Sequence, residues 1–187
     1  MTRKTGLIAM AAALALGGCS SVWVDDLPPP RYSYNNGDFE YANHKGAIVA
    51  QIVGNPFNVS DDQFRAAVLA HMQGQNRGRP AKFVAAPDKE TLAPYKVVAA
   101  FNMPANVDGY DLCKGPGALP PSPKRTGQVT LGMAFCFGDD IKSDAKGWVS
   151  DLSGIDDPRF AELVSRVTQA MLPSTDGLDT FGDANPP

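Results

Sequence analysis

Histidine is nearly absent from this chain: His44 and His71 are the only two among 187 residues. Two imidazoles that far apart leave little for histidine-based metal binding or general-base catalysis. His71 also falls on an apolar helical stripe, where a core-edge role suits it. There is no G-x-S-x-G elbow, and no serine has a recognisable His and Asp set around it. Gly115-Pro116-Gly117 carries a proline and no lysine at the offset a phosphate-cradling loop needs. Asp176-Gly177-Leu178-Asp179 lacks the ligand spacing of a calcium loop. The acidic pairs Asp25–Asp26, Asp61–Asp62, Asp139–Asp140 and Asp156–Asp157 fall in a linker, at helix starts or in a turn, where each has a local structural reason. No catalytic, cofactor-binding or metal-binding residue is therefore named. A surplus of basic charge is missing too: 17 Lys and Arg against 20 Asp and Glu give a net charge of −3. That balance disfavours nucleic acid as a partner.

Long apolar runs are equally scarce. The one candidate, Gly6 to Leu16, is shorter than the roughly 20 residues a membrane-spanning helix requires. Preceded by Arg3 and Lys4, it has the layout of a secretory signal. It ends in Leu16-Gly17-Gly18-Cys19, which resembles the lipobox of bacterial lipoproteins. The resemblance implies removal of residues 1–18, a diacylglycerol on the Cys19 thiol and an acyl chain on its new amine. The rival reading is an ordinary exported protein cut after Ala13-Leu14-Ala15. Ser20 stands where lipoproteins kept in the inner membrane carry aspartate. The resemblance thus implies an outer-membrane anchor with the protein facing the periplasm.

With Cys19 acylated, Cys113 and Cys136 remain. In an oxidising compartment an even pair reads as a disulfide, and neither a CxxC spacing nor nearby histidines support a metal or redox pair. Residues 19–45, with Pro28-Pro29-Pro30 and Asn35-Asn36-Gly37, read as the lipidated end and a tether, which fully stretched spans about 80 Å. Its aromatics Trp23, Tyr32, Tyr34, Phe39 and Tyr41 either lie partly on the domain, with the first near lipid headgroups, or form a docking segment.

The globular part is expected over 46–172, followed by a mobile tail, 173–187. Gly46–Val53 reads as a strand ended by Gly54-Asn55-Pro56. Ser60 and Gln63 form a capping box, opening a helix with the stripe Phe64, Ala67, Val68, His71 and Met72. Strands follow near Lys82–Ala86 and Tyr95–Asn102, then a glycine- and proline-rich stretch containing Cys113. Gln128–Phe137 alternates most clearly: Val129, Leu131, Met133, Phe135 and Phe137 on one face, and Thr130, Gly132, Ala134 and Cys136 on the other. The small second face suits close approach of a covering loop holding Cys113. Gly138-Asp139-Asp140 turns into a strand around Ser143–Ser150. The last helix starts with cap Asp157 and Pro158, and Pro173 stops it. The predicted fold is α+β: a mainly antiparallel sheet of four to five strands, covered on one face by two helices.

The chain resembles small outer-membrane lipoproteins of Gram-negative bacteria, the specific match covering its first twenty residues. The stretches Gly54-Asn55-Pro56-Phe57, Tyr95–Asn102 and Ala134–Asp139 look like a family of uncharacterised lipoproteins, from which no reaction carries over. The leading expectation is a non-catalytic binding or assembly protein of the cell envelope, with the membrane through its anchor and an envelope protein as partners. The alternative is a lipid- or glycan-binding module, to which the order of strands and helices adds a fold-level analogy with the lipoprotein of lipopolysaccharide assembly. In that case Arg77, Arg79, Lys124 and Arg125 would converge on an anionic ligand. An envelope hydrolase is the third reading. An open apolar groove would favour the lipid binder, a cleft at His71 the enzyme, and a bare apolar surface patch a protein partner.

Overall fold

The computed structural model describes residues 21–25, 34–76, 78–120 and 127–173. The domain is α+β. Strands β1 (Trp23–Asp25), β2 (Ala47–Val53), β3 (Lys82–Val84), β4 (Thr91–Phe101), β5 (Gln128–Phe137) and β6 (Asp140–Ser150) form one sheet in the order β1-β6-β5-β4-β2-β3. The pairings β1–β6, β6–β5 and β5–β4 are antiparallel, whereas β2 runs parallel to both β4 and β3. The strand count is thus six rather than four or five, and the sheet is mixed at one side. The parallel pairs come from a crossover: β2 leads into a helix, α2 (Asp61–Met72), which returns the chain to β3.

Both expected helices form as their sequences dictate. The Ser60 hydroxyl accepts from the Gln63 N–H at 3.3 Å, and the Gln63 side chain accepts from the Ser60 N–H at 3.3 Å, closing the capping box of α2. The other, α4 (Pro158–Met171), buries Phe160, Leu163, Val164, Val167 and Met171 completely. Its cap Asp157 accepts from the Arg159 N–H at 3.0 Å and from the Ser153 N–H at 3.0 Å. The Arg159 guanidinium chelates the same carboxylate and also donates to the carbonyls of Ser150 and Asp151. These bonds, the Arg159 side chain foremost, hold the Asp157 carboxyl far below the ordinary carboxylate range. They also staple the start of α4 to the end of β6.

Two further helices depart from expectation. Residues 36–42 form α1 (Asn36–Ala42), capped by Asn35, with Phe39 and Ala42 buried in the core shared with α2 and α4. In the same stretch β1 pairs with β6, Val22 is buried, and Val24 packs on that core. Much of the segment read as tether is therefore part of the domain. Residues 109–113 form α3 (Gly109–Cys113) on the opposite face of the sheet, so both faces are covered. There Leu112 and Cys113 pack against Val98, Ala100, Ala134, Cys136 and Ile141. Cys113 and Cys136 are joined as a disulfide with their Cα atoms 5.6 Å apart. The expected covering segment over the small face of β5 is α3.

Packing requires a glycine at the centre of the β6–α4 contact. A Cβ on Gly147, in β6 beneath α4, would stand 2.7 Å from Val167 Cγ2, 2.8 Å from the Trp23 carbonyl oxygen and 3.0 Å from Leu163 Cδ1.

Candidate functional site

Between sheet and helices Phe64, Phe101, Phe135 and Phe160 are fully buried in one cluster, and two features open to a partner lie at the margins. At the end where β4 begins and β5 finishes, aromatic rings run outward from the core. Phe135 is fully buried, and Tyr95 stacks on it at 5.8 Å and 15°. Phe137 meets Tyr95 edge-on at 4.9 Å, Tyr41 meets it at 6.1 Å, and His44 stacks on Tyr41 at 5.7 Å. Tyr41 is 61% exposed and Phe137 39%, so the outer rings form a bare aromatic patch on a rigid base.

Local structure explains the placement. Phe137 shares the face of Phe135 because strand side chains alternate, and the hairpin turn at Gly138 and Asp139 leaves it uncovered. Tyr41 sits in the last turn of α1, which is fixed by Phe39 against Phe135 at 5.7 Å and by Asp38, 3.5 Å from Lys142 Nζ. The same ammonium lies 5.9 Å from the Phe137 ring centroid. Burial, and then the Asp38 and Tyr41 charges, raise the pKa of the Tyr95 hydroxyl. Burial, followed by Asp38 and Glu40, pushes Tyr34 up to about 12. Both phenols stay neutral, and the patch offers rings, hydroxyls and one cation.

A second feature lies on the α3 face. A groove of about 310 Å³ runs between α3 and the β6–β1 edge, with Ala100, Thr130 and Gly132 at its floor. Met103, Leu112 and Tyr110 line one side, and Asp144, Lys146 and Asp25 the other. Gly109 lets α3 come this close: a Cβ there would collide with Ile141 Cδ1 and stand 2.7 Å from Asp144 Oδ2. With Asp108 at its rim, the groove has three carboxylates against one ammonium. It is unsuited to an anionic ligand.

Of the four basic residues singled out from sequence, only Arg79 lies among the described residues. Arg79 is engaged: its Nη1 donates to the His44 carbonyl at 3.1 Å, while Asn43 and Asn76 donate to the Arg79 carbonyl. It pins its loop beneath the aromatic patch. Arg77, Lys124 and Arg125 lie outside the described residues, as does Cys19. His71 sits half-buried and edge-on to Phe160 at 5.9 Å, and burial lowers its pKa. It thus serves the α2–α4 contact. Among the described residues no three His, Cys, Asp or Glu side chains are grouped to hold a metal, and no helix is long and apolar enough to cross a membrane.

The patch was not named from sequence. Its members come from residues 41, 44, 95 and 137, and the only local signal was the density of aromatics before Lys45. Comparison with protein-family models, curated proteins and solved structures returned no match.

Proposed function

We propose that this chain is a lipid-anchored, periplasm-facing lipoprotein of the outer membrane, acting as a non-catalytic binding or assembly protein that engages an envelope protein through its aromatic patch. The observation that carries the reading is the exposure of Tyr41 and Phe137 on a base fixed by Tyr95 and Phe135. Rigid aromatics that already stand in their bound geometry lose little entropy on docking, which is why tyrosine and phenylalanine are enriched at interface centres. The flanking Lys142 and His44 supply a polar rim.

The test is photo-crosslinking in intact cells, with the reactive residue in place of Tyr41 or Phe137 and, as control, of Ala66 on the exposed side of α2. A discrete protein adduct from the first two positions and none from the third is expected. No adduct from either patch position removes the reading. The anchor is tested separately: Cys19→Ala abolishes incorporation of labelled fatty acid, and continued labelling excludes Cys19 as the acylated residue.

The groove favours a second reading, a saccharide-binding module. Its mixture of carboxylates, an ammonium and the exposed ring of Tyr110 suits sugar hydroxyls and ring faces. Calorimetric titration with a chitin oligosaccharide, compared with Lys146→Met, tests it: no heat of binding by the native chain ends this reading.

A further inference from the structure

We infer that the β1 end of the sheet rests directly on the bilayer surface, with Trp23 at the level of the lipid headgroups, so that the aromatic patch is held on the far side of the domain. The inference rests on the acylation of Cys19 proposed above. It goes further by stating which end of the domain the membrane touches.

The first argument is covalent reach. Val22 is buried in the domain and Trp23 begins a strand of the sheet. Only three residue spacings separate Cys19 from Val22, and four separate it from Trp23. At no more than about 3.6 Å per residue these are limits of roughly 11 and 14 Å. Acyl chains on Cys19 place its backbone at the interface, so Trp23 begins within one short step of the headgroups. The 80 Å excursion that the sequence allowed is closed off, because the leash ends where β1 joins β6.

The second argument is what waits there. Trp23 is 61% exposed, and its Cα partner across the strands is Trp148. These are the only two tryptophans in the chain. Being directly opposite in an antiparallel pair, they project from the same face. Indole, with an apolar body and one N–H donor, is the side chain that favours the membrane–water boundary. The edge carries no basic excess that would call for anionic lipid: Asp25, Asp108 and Asp144 line the adjoining groove against Lys146. Asp25 is the Cα partner of Lys146, and Arg166, which donates to the Val22 carbonyl at 2.9 Å, also lies 3.3 Å from Glu162. Docking of this kind needs no anionic lipid and persists at high salt.

The third argument is polarity of the fold. Phe137 pairs with Asp140, and Trp148 lies eight residues further along β6. At about 3.4 Å per residue this separates the tryptophans from the aromatic patch by roughly 27 Å. One end meets lipid and the other is presented to the periplasm.

The test uses the full acylated chain in vesicles of phosphatidylethanolamine with a minor share of phosphatidylglycerol. Its mass is checked first, since a chain without acyl groups overturns the anchor and not the geometry. Because both tryptophans lie at one end, the native protein is its own probe. Lipids brominated on the acyl carbons nearest the headgroup are expected to quench its emission at least two-fold relative to unbrominated vesicles, equally at low and high salt. A second variant, Tyr41→Trp with Trp23→Phe and Trp148→Phe, places the indole at the far end and is expected to remain unquenched. An acylated native chain whose emission bromine leaves unchanged overturns the inference. Equal quenching of both proteins overturns it too, because the domain would then lie flat.

Discussion

Gly147→Ala adds one methyl group where the structure has no room for it. Ordinary carbon contacts lie at 3.4–4 Å, and the new Cβ would stand at 2.7, 2.8 and 3.0 Å from three atoms. Two belong to Val167 and Leu163, both fully buried in α4, and the third is the Trp23 carbonyl oxygen, part of the backbone of β1. Relief therefore requires β1 to shift by more than half an ångström and the buried methyl groups of Val167 and Leu163, or α4 with them, to give way as well. Overpacking of this kind costs about 1–3 kcal/mol. For a chain of this size each kcal/mol lowers Tm by about 2–4 °C, so a fall of roughly 2–12 °C is expected. β1 has only three paired residues and should yield first, changing the emission of Trp23 and Trp148 before the far-ultraviolet signal. Gly132→Ala is the matched control. It lies on the neighbouring strand, and its Cβ would meet only Leu112 Cδ1, at 3.7 Å. Replacing a strand glycine there contributes about 0.5–1 kcal/mol of stability. The assay is thermal unfolding followed by circular dichroism and tryptophan emission. A Gly147→Ala protein that melts within about 1 °C of the native chain would refute the packing argument.

Two other outcomes follow from the structure. Asp157→Ala removes the cap of α4 and the partner of Arg159, with an expected cost of about 2 kcal/mol in urea denaturation near neutral pH. The folded-state pKa of Asp157 is depressed, so its stabilisation is full above the ordinary carboxylate range and is lost as pH falls below it; native and variant midpoints should converge towards acid pH. Replacing Cys113 and Cys136 together by alanine opens a loop spanning 23 positions, which costs about 3 kcal/mol in the chain-entropy model; an unchanged denaturation midpoint would show that the bond adds nothing to stability.

The elements read correctly from sequence are those whose cause is local. The alternation of β5 contains its two faces, the Ser60 and Asp157 caps lie within three residues of what they cap, and the stripe of α4 is continuous. The disulfide was also legible, because Cys113 and Cys136 are the even pair left beside Cys19, and the small residues on one face of β5 agreed with a close covering segment. What stayed hidden depends on distant partners. Trp23-Val24-Asp25 is a strand only because β6 offers an edge and α4 covers Val24. Helix α1 has seven residues and a glycine, too few to announce itself, and is held through Phe39 and Asp38. The parallel pairing of β2 and the seating of α3 on the second face are likewise topological. The aromatic patch was invisible for the same reason, its rings being drawn from α1, the α1–β2 turn, β4 and β5.

The pairing of β1 with β6 also has a mechanical meaning. β1 enters the sheet beside the last residues of β6 and runs back towards the aromatic end. Suppose a partner tugs on that end while acyl chains hold Cys19. The force then enters along the strand axis, and the three rungs resist in shear, sharing the load instead of opening one after another. The Arg166 bond to the Val22 carbonyl and the burial of Val22 brace the entry point of that force. With Cys19 anchored as proposed, a strand of three residues, marginal as a contributor to folding stability, would be well placed to bear tension between the anchor and whatever the domain holds.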